Sequence, residues 1–225
     1  MGKRRRTPSR NKNPTDRRSL PARRGWAKRS FVSLETVLRD IRACRACAGE
    51  LPHEPRPVVR VDEGTRLLIC GQAPGRRVHE SGMPFTDPSG DRLRDWMGVD
   101  WATFYGDRAI GVAAMAFCYP GTDPKGGDYP PPKRCAALWR SSLLNALPNV
   151  ELTLLVGSYA QTWALGSSAK KSMTHNVRAW RDFLPNYLPM PHPSWRNTGW
   201  LKRNPWFEAE VAPYLRGRVA HIIGP

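Results

Sequence analysis

Leu67-Leu68-Ile69-Cys70 is apolar at four successive positions and stops at Gly71-Gln72-Ala73-Pro74-Gly75. A run without a polar face belongs to a strand covered on both sides, and the Gly and Pro residues that follow continue neither strand nor helix. This segment therefore requires a parallel sheet with helices above and below it. It also makes 71–75 a loop at the carboxyl end of a strand, the place where such sheets bind ligands.

The rest of the chain supplies the helix layers. Leu34, Val37, Leu38 and Ile41 predict a helix over 33–43 with Ser33 as its N-cap. Further helices are expected over 89–97, opening just after Pro88, over 133–147 from the stripe Leu138, Trp139, Leu143, Leu144 and Leu147, and over 159–165. A closing helix is expected over 205–217, capped by Asn204. Strands are expected over 66–70, 110–117, 150–156 and 187–190, and there is no internal repeat. Helices alternating with short apolar strands predict an α/β fold, a single three-layer α/β/α domain over 31–225 with a short, mostly parallel four-stranded sheet.

Ahead of it, residues 1–30 hold twelve Lys and Arg against one acid, Asp16, which is +11 of the total +17. The remaining 195 residues carry 24 basic and 18 acidic side chains. With almost no large apolar side chain before Trp26, this stretch is expected to be a disordered basic tail suited to nucleic-acid phosphates. A solvated tail or a targeting peptide is the alternative. No apolar h-region follows it and no stretch reaches membrane-spanning length, so the expected location is cytoplasmic, associated with the nucleoid.

A second loop, Pro191-His192-Pro193-Ser194-Trp195-Arg196-Asn197, follows the last expected strand. At one edge of a parallel sheet it faces 71–75 across a crevice. "GQAPG", then "ESGMPF", then "HPSWRN" resembles the uracil-DNA glycosylase superfamily, most closely its iron-sulfur branch, family four, whose motifs read GEAPG, G-x-PF and HPS. The resemblance runs from about Ile41 to Leu215.

Cys44-x-x-Cys47 at a helix end suggests a metal or redox pair, with buried free thiols as the alternative. Cys118 and Cys135, flanking a Pro/Gly-rich loop, are spaced much like the second ligand pair of the iron-sulfur branch. The resemblance thus implies that Cys44, Cys47, Cys118 and Cys135 hold a structural [4Fe-4S] cluster, with zinc as the other candidate for four thiolates. Cys70, inside the apolar run, is expected to be a core thiol.

The resemblance also implies base flipping and cleavage of an N-glycosidic bond. Phe85 matches the stacking aromatic, although a core Phe after a turn reads the same way. His192 matches the donor to the departing base, with its backbone fixed by flanking prolines. The backbone of Gly71, Ala73, Pro74 and Gly75, with Ser194, would contact the base or a water. Where the family has an acid, this chain has Gln72, which orients water at most; Asp87 is the candidate general base unless it only caps a helix, and Glu80 is a weaker one. Where the family reads uracil with an Asn, this chain has Ala114.

Trp195 or Arg196 is the expected wedge into the duplex, with Asn197 beside them and Lys202 and Arg203 on phosphates. Trp200 and Trp206 equally suit packing over the closing helix. The leading expectation is a monofunctional, monomeric DNA glycosylase acting on DNA with a deaminated or damaged base. The alternative is a catalytically weak damage binder that keeps the fold. A phosphate-binding α/β protein is disfavoured by the absence of G-x-G-x-x-G and of a P-loop lysine.

Overall fold

The structure, a computed structural model, describes residues 32–224, so the tail expected over 1–30 lies outside the described residues. The sheet has four strands, β1 (Leu67–Cys70), β2 (Ile110–Val112), β3 (Leu152–Val156) and β4 (Tyr187–Met190), in the order β2-β1-β3-β4. Every pairing is parallel, with Ile69 opposite Val112 and Leu154, and Leu154 opposite Leu188.

The alternation of side chains along β1 explains why the sheet needs two helix layers. Leu67 and Ile69 enter a core shared with α3 (Pro88–Met97), α4 (Trp101–Gly106) and α9 (Ala212–Ile223), where Trp96, Phe104 and Phe207 are fully buried. Leu68 points the other way, into a core with α1 (Leu34–Arg42) and α5 (Lys133–Asn145). Cys70 shares that second face with Met115, Leu155 and α6 (Ser158–Leu165). The result is the three-layer α/β/α arrangement. Ser33 caps α1 by accepting from the Thr36 amide at 3.2 Å.

Several expected boundaries shift. The apolar run over 110–117 is a strand only to Val112. Beyond it, the Met115 and Ala116 amides bond the Gly71 and Gln72 carbonyls, and the buried Arg140 guanidinium takes the Ala113 and Ala114 carbonyls at 2.7 and 3.2 Å. Leu138, placed in the apolar stripe of α5, is exposed. The closing helix runs through a π-helical turn at Phe207–Val211 into α9 and reaches Ile223. Asn204 ends α8 (Thr198–Arg203), and its amide ties the Trp200 carbonyl to the Trp206 indole instead of capping the next helix. The short helices α2 (Arg76–Ser81), α4 and α7 (Met173–Arg178) add to the expected set.

Candidate active site

The loops after β1 and β4 meet as the topology requires. Gly71, Gln72, Ala73, Pro74 and Gly75 from the first, with Phe85 and Asp87 from the turn before α3, enclose a cavity of about 330 Å³ that His192 closes from the β4 side. Ala114 and Asp128 complete its wall. A wider groove of about 660 Å³ shares Gln72, Ala73, Asp87, Asp128 and His192, and continues past Ser194, Trp195, Arg196 and Asn197.

His192 has a defined tautomer. The Ser194 amide donates to its Nδ1 at 3.2 Å, so the neutral ring carries its hydrogen on Nε2. Burial lowers the pKa of His192, partly offset by the carboxylate of Asp87, and this favours the neutral donor over the imidazolium. Asn197 turns its amide inward to the His192 carbonyl at 2.8 Å, so here it braces the loop and does not project toward solvent.

Two residues absent from the sequence-based set hold the loops in place. Arg92 of α3 donates to the Pro193 and Ser194 carbonyls at 3.2 and 3.0 Å. Arg94, buried, donates to the Phe85 carbonyl at 2.9 Å and pairs with Asp91 at 2.6 Å. Phe85 is the one non-glycine residue with positive φ, +60°, among the described residues. A Cβ on Gly90 would lie 1.8 Å from the Phe85 carbonyl oxygen, so glycine is required there. Phe85 both lines the cavity and packs edge-on to Phe104, with centroids 6.3 Å apart, so it stands in the cavity wall and against the core at once.

The sequence profile described as the uracil DNA glycosylase superfamily matches residues 59–216. The chain belongs to the uracil DNA glycosylase superfamily. Among solved structures, a candidate uracil DNA glycosylase from Methanosarcina acetivorans, determined by NMR in solution, is similar over 72% of this chain and 97% of its own, with 19% identity and a TM-score of 0.42.

The carboxylates of this superfamily member divide unevenly. Asp87 accepts from the Gly90 amide at 3.2 Å as the N-cap of α3, although it still lines the cavity. Glu80 is exposed on α2 and is not among the lining residues, which removes it as a candidate base. Gln72 donates its amide to the Tyr129 carbonyl at 3.1 Å. Asp128, which sequence reasoning missed, lies beside Gly75, its Oδ2 3.5 Å from the place a Cβ there would take. Only the Gly126-Gly127 pair before it hints at the tight turn that carries it in.

Ser194 borders the wide groove and not the smaller cavity. Trp195 is 75% exposed. Arg196 lies over its ring at 5.4 Å, with a guanidinium nitrogen 2.7 Å from the Cβ position of Gly127. Lys202 and Arg203 are exposed at the end of α8, whereas Trp200 is buried and bonds Thr174 at 2.8 Å, which is the packing role. No described helix is long and apolar enough to cross a membrane.

Cys44, Cys47, Cys118 and Cys135 line a single, largely apolar cleft under Trp139. Burial, with the other cysteines adding charge repulsion, pushes the Cys118 thiol up to about 12 and the Cys135 thiol up to about 11. The Trp139 indole donates to Cys44 Sγ and the Phe117 amide to Cys135 Sγ, both at 3.4 Å. Among the described residues no three His, Cys, Asp or Glu side chains stand close enough to chelate one metal ion. Cys70 is separate: fully buried, its thiol contacts Met115 Sδ at 3.6 Å.

Proposed function

We propose that the protein is a monofunctional DNA glycosylase that flips a deaminated base into the smaller cavity and hydrolyses its N-glycosidic bond, leaving an abasic site. The observation that carries this reading is the facing of Phe85 and the Nε2–H tautomer of His192 across one cavity of about 330 Å³. That volume suits a small planar ligand. Phe85 offers the base a stacking face. As the bond breaks the base leaves as an anion, and a neutral imidazole N–H held by the Ser194 amide stabilises that charge without first reorganising.

Ala114 puts a methyl group where the family four pattern has an amide, so the wall neither demands uracil nor excludes a larger deaminated base. The backbone of 71–75 then reads the base edge. DNA carrying the lesion is the partner, met by a monomer through Trp195, Arg196, Lys202 and Arg203.

Cys44, Cys47, Cys118 and Cys135 would hold a structural [4Fe-4S] cluster, as the GQAPG, GMPF and HPS motifs of family four imply. One feature supports this ligand set. Two of the four sulfurs, Cys44 Sγ and Cys135 Sγ, already receive N–H bonds of the kind that tune cluster thiolates. Zinc is the alternative for the same four thiolates.

A second reading, a damage binder without catalysis, is favoured by the amide at Gln72 and the capping bond of Asp87. Labelled oligonucleotides bearing uracil, hypoxanthine or xanthine, treated with alkali after incubation, separate the two. Strand cleavage at the lesion is expected, and His192→Ala should lower the single-turnover rate by about 10²- to 10³-fold with little loss of binding. Tight binding with no excision selects the binder. Anaerobically purified protein should contain iron and sulfide, both lost in Cys44→Ala and kept in Cys70→Ala; metal-free protein of unchanged stability excludes the cluster.

A further inference from the structure

The Gln72 amide, placed where the family carries an acid, donates its N–H to the Tyr129 carbonyl at 3.1 Å. An ionised carboxylate at 72 has no hydrogen to give and would face that carbonyl with like partial charge. The amide therefore docks a tight turn onto the first loop. In that turn Thr122 bridges Asp128, the Asp123 amide bonds the Gly127 carbonyl at 2.7 Å, and Gly126 and Gly127 take φ of +97° and +101°. Asp128, next to the docked Tyr129, lines both the small cavity and the wide groove, with Oδ2 against Gly75.

We propose that Asp128 supplies the carboxylate that holds and deprotonates the attacking water, replacing the acid lost at Gln72. This rests on the glycosylase reading above. Asp87, the other carboxylate on the cavity, is engaged in starting α3, whereas Asp128 caps no helix. In the step, a lone pair of the water oxygen forms the bond to C1′ of the sugar while the C1′–N pair leaves with the base. The water proton passes to Asp128 and from there to solvent. The base anion, held by His192, then takes a proton from solvent, so the sum is addition of one water across the glycosidic bond.

The groups facing Asp128 are the guanidinium groups of Arg196 and Arg76 and the Thr122 hydroxyl, with Asp87 and His192 around the same cavity. Partial burial raises the pKa of Asp128, and Arg196, Thr122 and Arg76 oppose that rise. A carboxylate moved toward neutrality is a better base than an ordinary one.

The test is single-turnover excision by the full chain on the same lesion panel, measured across acid and neutral pH. Asp128→Asn should lower the rate by about 10²- to 10³-fold with lesion affinity nearly unchanged, and Asp128→Glu should recover part of it. The wild-type rate should fall as pH falls through the Asp128 pKa, and that limb should be missing from Asp128→Asn while Asp87→Asn retains it. A turn that is merely structural would not move the profile. Gln72→Glu should slow excision by releasing the turn. Asp128→Asn with the wild-type rate and profile, or a faster Gln72→Glu, overturns the assignment alone. A wild type inactive on every lesion overturns the glycosylase reading and this assignment with it.

Discussion

Gly90 and Phe85 form the closest backbone junction in the site. The Phe85 carbonyl lies where a side chain at 90 would begin, and Arg94, one turn further along α3, holds that carbonyl at 2.9 Å. Backbone at positive φ costs a residue such as Phe about 1 to 3 kcal/mol, and it persists only when its surroundings impose it. Arg94 and Gly90 impose it here, and so fix the ring that the base would stack on. Gly90→Ala is expected to destabilise the fold by about 1 to 3 kcal/mol, since a Cβ at 1.8 Å forces either α3 or Phe85 to move. Urea unfolding measures the first consequence. Excision should fall as well, and a variant with unchanged stability and rate would mean that the turn adjusts without moving Phe85.

At the scale of elements, α3 is the brace between the two loops. Asp87 and Gly90 start it under the first loop, and Arg92, one turn in, reaches across to the Pro193 and Ser194 carbonyls of the second. Arg92→Ala should slow excision by roughly 10-fold or more while unfolding stays near wild type, because a displacement of the reacting groups of about 1 Å costs up to about 10²-fold. Lysine at 92 reaches one carbonyl but lacks the fork, so it should restore only part of the rate. An unchanged rate in Arg92→Ala would show that the two prolines position His192 alone.

The same elements show what local pattern can and cannot carry. β4 spans the expected 187–190, and α1 begins after its expected cap, because a continuous apolar run and a helical stripe are properties of the segment itself. The meeting of 71–75 with His192 was legible for the same reason, since parallel strands place their following loops on one edge. Helices α2, α4 and α7, six residues each, are too short to show a period. β2 ends early because Arg140, 27 residues away from Ala113, claims a carbonyl that the apolar pattern assigns to a strand. Gln72 and Tyr129 bond across 57 positions and Arg92 and Pro193 across 101, and no window on the sequence contains both members of either pair.

At the scale of the whole chain, charge and chemistry are separable. The residues lining the small cavity begin at Val58, whereas twelve of the 36 Lys and Arg lie within the first 30 positions. Phosphate neutralisation releases counterions, so each contact steepens the fall of log K with log salt by about 0.9 on duplex DNA. If half of those twelve residues meet phosphates, removing positions 1–30 should flatten the slope by about 5 and weaken binding most at low salt. The rate at saturating DNA should change by less than about twofold, because no group expected to touch the base or the water has been removed. Fluorescence anisotropy on undamaged duplex across a salt series gives the slope, and single-turnover excision gives the rate. A slope unchanged by the truncation would leave the contacts to Arg196, Lys202 and Arg203, whose three charges limit the whole dependence to about 3. A lost rate with an unchanged slope would mean instead that the first 30 residues act at the cavity.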